Sequence, residues 1–334
     1  MSRARVARRL AAKAVYGGGG VAALGAMGYL LIRAEAQLAR RIVGQPFDGA
    51  PDDDGVYGAA PGPAIQLLVL GDSSAAGMGA DTRYETIGAI LSTGLAAIAG
   101  RPVELINEAK IGAESSDLDR QLAVALSRAD RPDAAVILIG SNDVTHRIDR
   151  VESVRSLART VRSLRSLGIE VVVGTCPDLG TIKPILFPLN ALLRRWSRDL
   201  AAAQTVAVVE AGGRTVSVGD LLGAEFAATP AVMFSKDQFH PSAAGYARVA
   251  SALLPSVCAA LGLWQVAGGT DHVLESRRGD AVGPVAEAAG QAAIRPGTEV
   301  VGTEVAGHEH GPRGRWAVLL RRPRLAAPIK PDSA

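Results

Sequence analysis

Cysteine is scarce in this sequence, which contains two in 334 residues, Cys176 and Cys258. One pair in a chain of this length excludes the disulfide framework of a small secreted domain. Cys176 follows a strand-like run and Cys258 lies in an apolar helical run, so we predict that both are buried free thiols. Aromatic residues are also few, at 4%, although hydrophobic residues reach 48%. The core is therefore expected to consist mainly of Ala, Val, Leu and Ile.

A large charge excess is absent, because the formal net charge is only +3. Arginines are concentrated near the two ends of the chain, within residues 3–9 and 313–324, and the charges between them nearly balance. A nucleic-acid partner is therefore not expected, since it would need a basic face on the folded part of the protein.

Phosphate-binding loops are missing as well. The sequence contains neither Gly-x-x-x-x-Gly-Lys-Ser/Thr nor a complete Gly-x-Gly-x-x-Gly motif, and Gly77-Met78-Gly79 has no third glycine in register. The small residues that follow the apolar run Ile65–Leu70 are better explained by a reactive serine, Ser73, that needs open space around its hydroxyl.

The N-terminal region contains one long uncharged run, Ala14–Ile32. As a helix it would extend about 28 Å, close to the thickness of the hydrocarbon core of a membrane. More basic residues precede the run than follow it. This bias predicts that the N-terminus lies in the cytoplasm of a bacterium and that the rest of the chain lies on the outer side of the cytoplasmic membrane. The main alternative is a signal peptide cleaved near Ala34-Glu35-Ala36, which would give a secreted protein. A mitochondrial-type targeting peptide and a soluble helix packed on the core are two further alternatives.

The middle of the chain alternates between short apolar runs and longer amphipathic segments, which predicts an α/β fold with a mostly parallel sheet covered on both faces. The predicted strands are Ile65–Leu70, Val103–Asn107, Ala134–Ile139, Ile169–Val173 and Val206–Glu210. The predicted helices are Tyr84–Ala99, Ser115–Arg128, Ile148–Leu164, Asn190–Ala203 and Ala243–Leu261.

These patterns divide the chain into four regions. Residues 1–43 are predicted to form a basic flank and a transmembrane helix. Residues 44–63, rich in Gly, Pro and Asp, indicate a linker. Residues 64–265 contain the α/β domain, and residues 266–334 have the composition of a low-complexity, largely disordered tail.

Polar residues follow the predicted strands or precede the last predicted helix. They are Gly71-Asp72-Ser73, Asn107–Gly112, Gly140-Ser141-Asn142-Asp143 and Asp237–Pro241. Ligands of open α/β sheets bind beyond the carboxyl ends of the strands. We therefore expect these four groups to form one site.

Acyl transfer by a serine needs a base and a group that orients the base. Histidine is the first choice of base near neutral pH. His240 has Asp237 three residues upstream, whereas His146 lacks a well-placed orienting carboxylate other than Asp143. We therefore predict a triad of Ser73, His240 and Asp237. The neighbouring Ser74 remains a candidate helix cap.

The four groups resemble the sequence blocks of the SGNH hydrolase superfamily, also called GDSL-type esterases. Ser73, Gly112, Asn142 and His240 match the four block residues over residues 64–264, although Ser74 replaces the usual Leu and Lys110 is atypical. The resemblance implies a three-layer α/β/α, flavodoxin-like sandwich. It also implies hydrolysis or transfer of acyl groups without a metal or other cofactor.

In this scheme the oxyanion is held by the backbone N–H groups of Ser73 and Gly112 and by the side-chain amide of Asn142. Asp72 and Asp143 are predicted to bond backbone N–H groups and to be structural.

The predicted function is a serine acyl-ester hydrolase acting on a small-molecule or lipid ester. The alternatives are an acyltransferase or deacetylase acting on envelope lipid or polysaccharide, and an inactive membrane-anchored binding protein on the same fold. The apolar segment Leu179–Leu189 predicts either a lid over an acyl chain or a helix start packed on the core.

Overall fold

The computed structural model describes residues 49–129 and 131–263, together with Gln37 and residues 299–300. The predicted anchor at Ala14–Ile32 and all of the predicted tail except residues 299–300 lie outside these residues. Within the described part, one helix, Ala243–Ala260, is long and apolar enough to cross a membrane. Just over half of it is buried against the rest of the protein, as is typical of a core helix.

A seven-stranded sheet forms the centre of the fold, and its order is β1-β3-β2-β4-β5-β6-β7. The inner strands β2 to β6 are parallel, and the two edge strands β1 and β7 run antiparallel to their neighbours. The strands are β1 Gly55–Tyr57, β2 Ile65–Gly71, β3 Val103–Asn107, β4 Ala134–Leu138, β5 Glu170–Gly174, β6 Arg214–Val216 and β7 Glu299–Val300. The prediction of an α/β fold with a mostly parallel sheet is confirmed.

Helices cover both faces of this sheet. They are α1 Ile87–Ala99, α2 Leu118–Arg128, α3 Ser141–His146, α4 Arg150–Ser166, α5 Leu189–Glu210, α6 Val218–Ala228, α7 Pro230–Met233 and α8 Ala243–Ala260. Successive side chains of a strand point to opposite faces. Leu67 and Val69 accordingly join the core under α1 and α8, and Leu68 and Leu70 join the core under α2 and α4. The inner strands β2, β4 and β5 are therefore buried on both faces over most of their length, which explains their largely apolar sequences.

The predicted strand Val206–Glu210 is wrong, because these residues form the last part of α5. Val208 and Val209 are buried in that helix and continue the apolar spacing that begins at Leu200. The helix ends where Gly212 adopts a φ of +85°. The chain then turns back as β6, a strand of three residues that is too short to give a periodic signal.

The predicted linker at residues 44–63 is also wrong for residues 53–57. Asp53 and Tyr57 are buried, at 2% and 6% exposure, and Gly55–Tyr57 pairs with Val103–Leu105 as β1. The sequence does not indicate this strand because glycine and aspartate, which are common in this segment, are depleted in strands. Here the buried aspartate accepts hydrogen bonds instead of facing solvent.

The ends of β2 and β4 approach each other closely at Gly71. A Cβ atom on this residue would lie 1.9 Å from the carbonyl oxygen of Leu138, and its φ of +140° is one that other residues rarely adopt. Only glycine therefore allows the two strands to meet at the point where both carry polar loops.

Gly71→Ala is expected to destabilise the protein by about 3 kcal/mol or more, because it combines a steric overlap with backbone strain. Gly168→Ala is the matched control, since its φ is +79° but no atom lies within 4 Å of a new Cβ. That variant should lose only about 1 kcal/mol. Urea unfolding of both variants checks this, and equal losses would contradict the steric explanation.

Candidate active site

A series of tight turns follows β2, and we call residues 72–79 the Ser73 turn. The Asp72 N–H donates to the Leu138 carbonyl at 2.9 Å, and the Met78 N–H donates to the Ser73 carbonyl at 2.9 Å. The Asp72 carboxylate accepts from the Ser74 N–H at 2.9 Å. These bonds fix the backbone around Ser73, whose exposure is 8%.

Two buried glutamines hold the strand ends that carry the site. Gln121 of α2 accepts from the Gly71 N–H at 2.8 Å and donates to the Gly71 carbonyl at 2.9 Å. Gln204 of α5 donates to the Ile139 carbonyl at 2.9 Å and accepts from the Cys176 N–H at 2.8 Å. Each side-chain amide thus bonds to backbone groups at the strand ends in the way that a neighbouring strand would. Nothing in the sequence marked these two residues.

The structure brings Ser73, His240 and Asp237 together as one hydrogen-bonded chain. His240 Nε2 lies 2.8 Å from Ser73 Oγ, and His240 Nδ1 lies 2.5 Å from Asp237 Oδ2. Because the carboxylate accepts the proton on Nδ1, a neutral His240 can accept a hydrogen bond from the serine hydroxyl through Nε2. Ser73 and His240 are separated by 167 residues in the chain.

The Asp237 carboxylate is itself held by three further donors. Its Oδ1 atom accepts from the backbone N–H groups of Phe239 and His240 at 2.9 Å and from the Ser235 hydroxyl at 2.8 Å. Burial raises the pKa of Asp237, but the hydrogen bonds from His240 and the backbone outweigh it and lower the pKa to about 2. The group that faces His240 Nδ1 is therefore an ionised carboxylate at neutral pH.

Gly112 and Asn142 lie in two elements that contact each other. Gly112 is exposed, in a turn closed by the bond from the Ala113 N–H to the Lys110 carbonyl, at 3.1 Å. Asn142 is in the first turn of α3, and its Nδ2 donates to the Ala113 carbonyl at 2.9 Å. A side-chain amide has two N–H donors, so this bond orients Asn142 and uses one of them.

The two aspartates predicted to be structural do accept backbone N–H groups. Asp143 accepts from the Ser115 N–H at 3.2 Å with both oxygens, and Asp72 accepts from Ser74. Burial raises the pKa of Asp72 to about 6 even though hydrogen bonds partly offset it. Asp72 therefore gains a proton in mildly acidic solution, two residues away from Ser74 and beside Ser73.

The rejected base, His146, has a partner that the sequence did not indicate. Its Nδ1 lies 2.8 Å from Glu114 Oε1, and its side chain is 53% exposed. Asp143 is engaged with Ser115 instead. The ring that contacts Ser73 Oγ is that of His240.

An apolar pocket of about 90 Å³ lies beside the triad. Its walls include Ser74, Phe239 and Pro241, which are chain neighbours of the triad residues. They also include apolar side chains from α6, from the residue that follows α7 and from the loop after β5. These apolar residues are Leu179, Ile182, Val218, Leu222, Phe226 and Phe234. The site thus combines a polar edge with an apolar wall, as small-molecule sites usually do.

The segment Leu179–Leu189 combines features of both predicted alternatives. Leu179 and Ile182 are buried and line the pocket, whereas Ile185 and Leu189 are buried in the core. Leu186 and Phe187, between them, are 56% and 77% exposed.

Comparison with known proteins gives a consistent result. Residues 69–248 match the model of the GDSL-like lipase/acylhydrolase family. The GDSL-like esterase Rv1075c of Mycobacterium tuberculosis is 41% identical over 244 residues, which cover 70% of this chain and 77% of that protein.

Among solved structures, Axe2, an acetylxylan esterase from Geobacillus stearothermophilus, is similar with a TM-score of 0.43 and 19% identity, over 60% of this chain and 95% of that one. A lipase/acylhydrolase from Enterococcus faecalis is similar with a TM-score of 0.42 and 19% identity, over 56% and 92% of the two chains.

Asp72→Asn should make stability less sensitive to pH. The pKa of Asp72 is raised from 3.8 to about 6 in the folded protein, so between these values the folded state binds a proton that the unfolded chain releases. The stability from this group is present below pH 3.8 and is lost as pH rises through about 6, by up to ~3 kcal/mol.

Urea unfolding between pH 4 and 7 should therefore show the variant gaining stability relative to the wild type as pH rises. Asp52→Asn, at an exposed carboxylate, is the control and should keep the wild-type slope. A pH-independent difference between the Asp72→Asn variant and the wild type would contradict the assignment.

Proposed function

Because the chain belongs to the GDSL-like lipase/acylhydrolase family, we propose that it is a carboxylic ester hydrolase with Ser73 as its nucleophile. The observation that carries this proposal is the unbroken hydrogen-bonded chain from Asp237 through His240 to Ser73 Oγ. A nucleophile in contact with a base, and a base in contact with a carboxylate, is the arrangement that activates a serine for attack on an acyl carbon.

In the first half of the reaction Ser73 Oγ attacks the ester carbonyl carbon while His240 Nε2 takes the hydroxyl proton. The ionised Asp237 stabilises the imidazolium that forms and keeps the ring in position. As the C–O bond to the alcohol breaks, His240 donates the proton to the departing oxygen. The acyl group is then bound to Ser73.

In the second half a water molecule takes the place of the alcohol. His240 removes a proton from the water as the water oxygen attacks the acyl carbon. The bond between the acyl carbon and Ser73 Oγ then breaks, and His240 returns the proton to Ser73 Oγ. The acid is released and the enzyme returns to its starting state.

Negative charge develops on the carbonyl oxygen in both halves. We assign its stabilisation to the N–H groups of Ser73 and Gly112 and to the second N–H of Asn142. The assignment is supported by the bond from Asn142 Nδ2 to the Ala113 carbonyl, which joins the loop of Gly112 to α3. Donors fixed in advance need no rearrangement when the charge appears.

We assign the acyl part of the substrate to the pocket beside the triad. Its lining is mainly aliphatic and phenyl groups, and its volume of about 90 Å³ is smaller than is usual for sites that bind drug-sized molecules. The apolar lining favours an acyl chain, and the small volume favours a short one.

The triad assignment predicts the effect of removing one hydroxyl. Ser73→Ala should lower kcat for p-nitrophenyl acetate by about 10³-fold or more and abolish labelling by a fluorophosphonate probe, with little change in melting temperature. Ser74→Ala is the matched control and should keep both activity and labelling. Activity that survives in the Ser73→Ala protein and disappears in Ser74→Ala would place the nucleophile one residue later.

The pocket assignment predicts a change in chain-length preference. Gly223 lines the pocket from α6, and a Cβ there would make only ordinary contacts with Asp178, at 3.7 Å. Gly223→Leu should raise KM for p-nitrophenyl butyrate and hexanoate about 10-fold and leave the acetate ester within about twofold. Gly223→Ala should have an intermediate effect, and an equal loss with every ester would refute the assignment.

A further inference from the structure

The Ser73 turn is supported from one side by a buried cluster that includes Asp53. The side-chain amide of Asn107, at the end of β3, donates to the Ala75 carbonyl within the turn, at 3.0 Å. The same nitrogen lies 3.0 and 3.2 Å from the two carboxylate oxygens of Asp53. Because an amide nitrogen carries two protons, Asn107 can bond to the carboxylate and to the turn at the same time.

Asp53 is fixed by its other contacts as well. Its Oδ2 accepts from the Thr86 hydroxyl at 2.6 Å, and its carbonyl accepts from the Tyr57 hydroxyl at 2.6 Å. Gly88 in α1 leaves room for the carboxylate, since a Cβ there would lie 2.6 Å from Asp53 Oδ2. The Asp53 side chain is only 2% exposed. Its carboxylate has two side-chain donors and fits in space that Gly88 leaves free.

Thr86 also contacts the turn directly. A Cβ on Gly77 of the Ser73 turn would lie 2.5 Å from Thr86 Cγ2. The cluster therefore meets the turn at two places, by packing at Gly77 and by a hydrogen bond at Ala75, and Asp53 bonds to both of the residues that make these contacts.

The segment that supplies Asp53 precedes the part of the chain that matches the family model, which begins at residue 69. It is held in place by β1 and by Asp54, which accepts from the Asn107 N–H at 2.7 Å and pairs with Arg128. The buried carboxylate next to the turn therefore comes from outside the residues that match the family model.

We propose that Asp53 is a positioning residue for the nucleophile, acting through Asn107, which it holds against the carbonyl of Ala75. Two groups that the proposed reaction needs, Ser73 Oγ and the Ser73 N–H, are set by the same turn. Without the carboxylate, Asn107 keeps the bond that its Oδ1 accepts from the Ala109 N–H but loses one partner of its Nδ2 group, and the turn can relax by a fraction of an ångström. A small misplacement of reacting groups costs catalysis more than binding.

Asp53→Ala, Asn107→Ala and the double variant test this proposal, with Asp52→Ala as the matched control at an exposed neighbour. All are measured as full-length protein at a temperature where circular dichroism shows them folded. Asp53→Ala should lower kcat for p-nitrophenyl acetate about 10- to 100-fold and leave KM within about twofold. Labelling of Ser73 by a fluorophosphonate should slow in proportion.

Because Asp53 acts through Asn107, the double variant should be no slower than Asn107→Ala. Asp53→Asn, which keeps the size and one acceptor oxygen, should be intermediate, and it serves as the test if Asp53→Ala does not fold. The proposal is overturned if Asp53 variants lower only the melting temperature, or if the losses of the two single variants multiply in the double variant.

The inference rests on the proposed function, and the two can fail separately. If the Ser73→Ala protein remains active, Ser73 is not the nucleophile and this proposal fails as well. An inactive Ser73→Ala together with a fully active Asp53→Ala overturns the positioning role alone.

Discussion

The approach of Gly71 to the Leu138 carbonyl is the constraint on which the site depends. It lets the ends of β2 and β4 lie side by side, so that the Ser73 turn and α3 leave the sheet as neighbours. The Asp72 N–H then bonds to the same carbonyl, and Gln121 bonds to both polar atoms of the Gly71 backbone. A methyl group at this one position would force the two strand ends apart and with them the serine and the amide of Asn142.

The inner strands β2 to β5 could be predicted from sequence because most of their residues are buried and apolar, whereas β6 is too short to give a signal. Each of the first four predicted strands agrees with the structure to within one residue at either end. The error at Val206–Glu210 has a physical origin, since valine is common in strands but burial of a helix face on the core overrides that local preference. The edge strand β1 was missed because three residues cannot show a period.

The residues of the site also fall into those that could be proposed from sequence and those that could not. Ser73, Asn142, Asp237 and His240 could be proposed from sequence because each directly follows a strand or precedes a helix, and the order of such blocks is informative. Gln121, Gln204 and Asp53 could not, because their importance comes from partners that are 50, 65 and 54 residues away. A buried polar residue looks like any surface residue until its partner is known, and burial without one would be costly.

The 167 residues between Ser73 and His240 have a consequence for synthesis of the protein. At translation rates of about 5–20 residues per second, roughly 8–33 s pass between the emergence of the serine and that of the histidine. Throughout that interval the nascent chain carries the hydroxyl without the ring and the carboxylate that face it in the folded protein. The hydrogen-bonded chain of Ser73, His240 and Asp237 is completed only when the turn before α8 emerges and docks, so until that point the nascent chain holds Ser73 without these two partners.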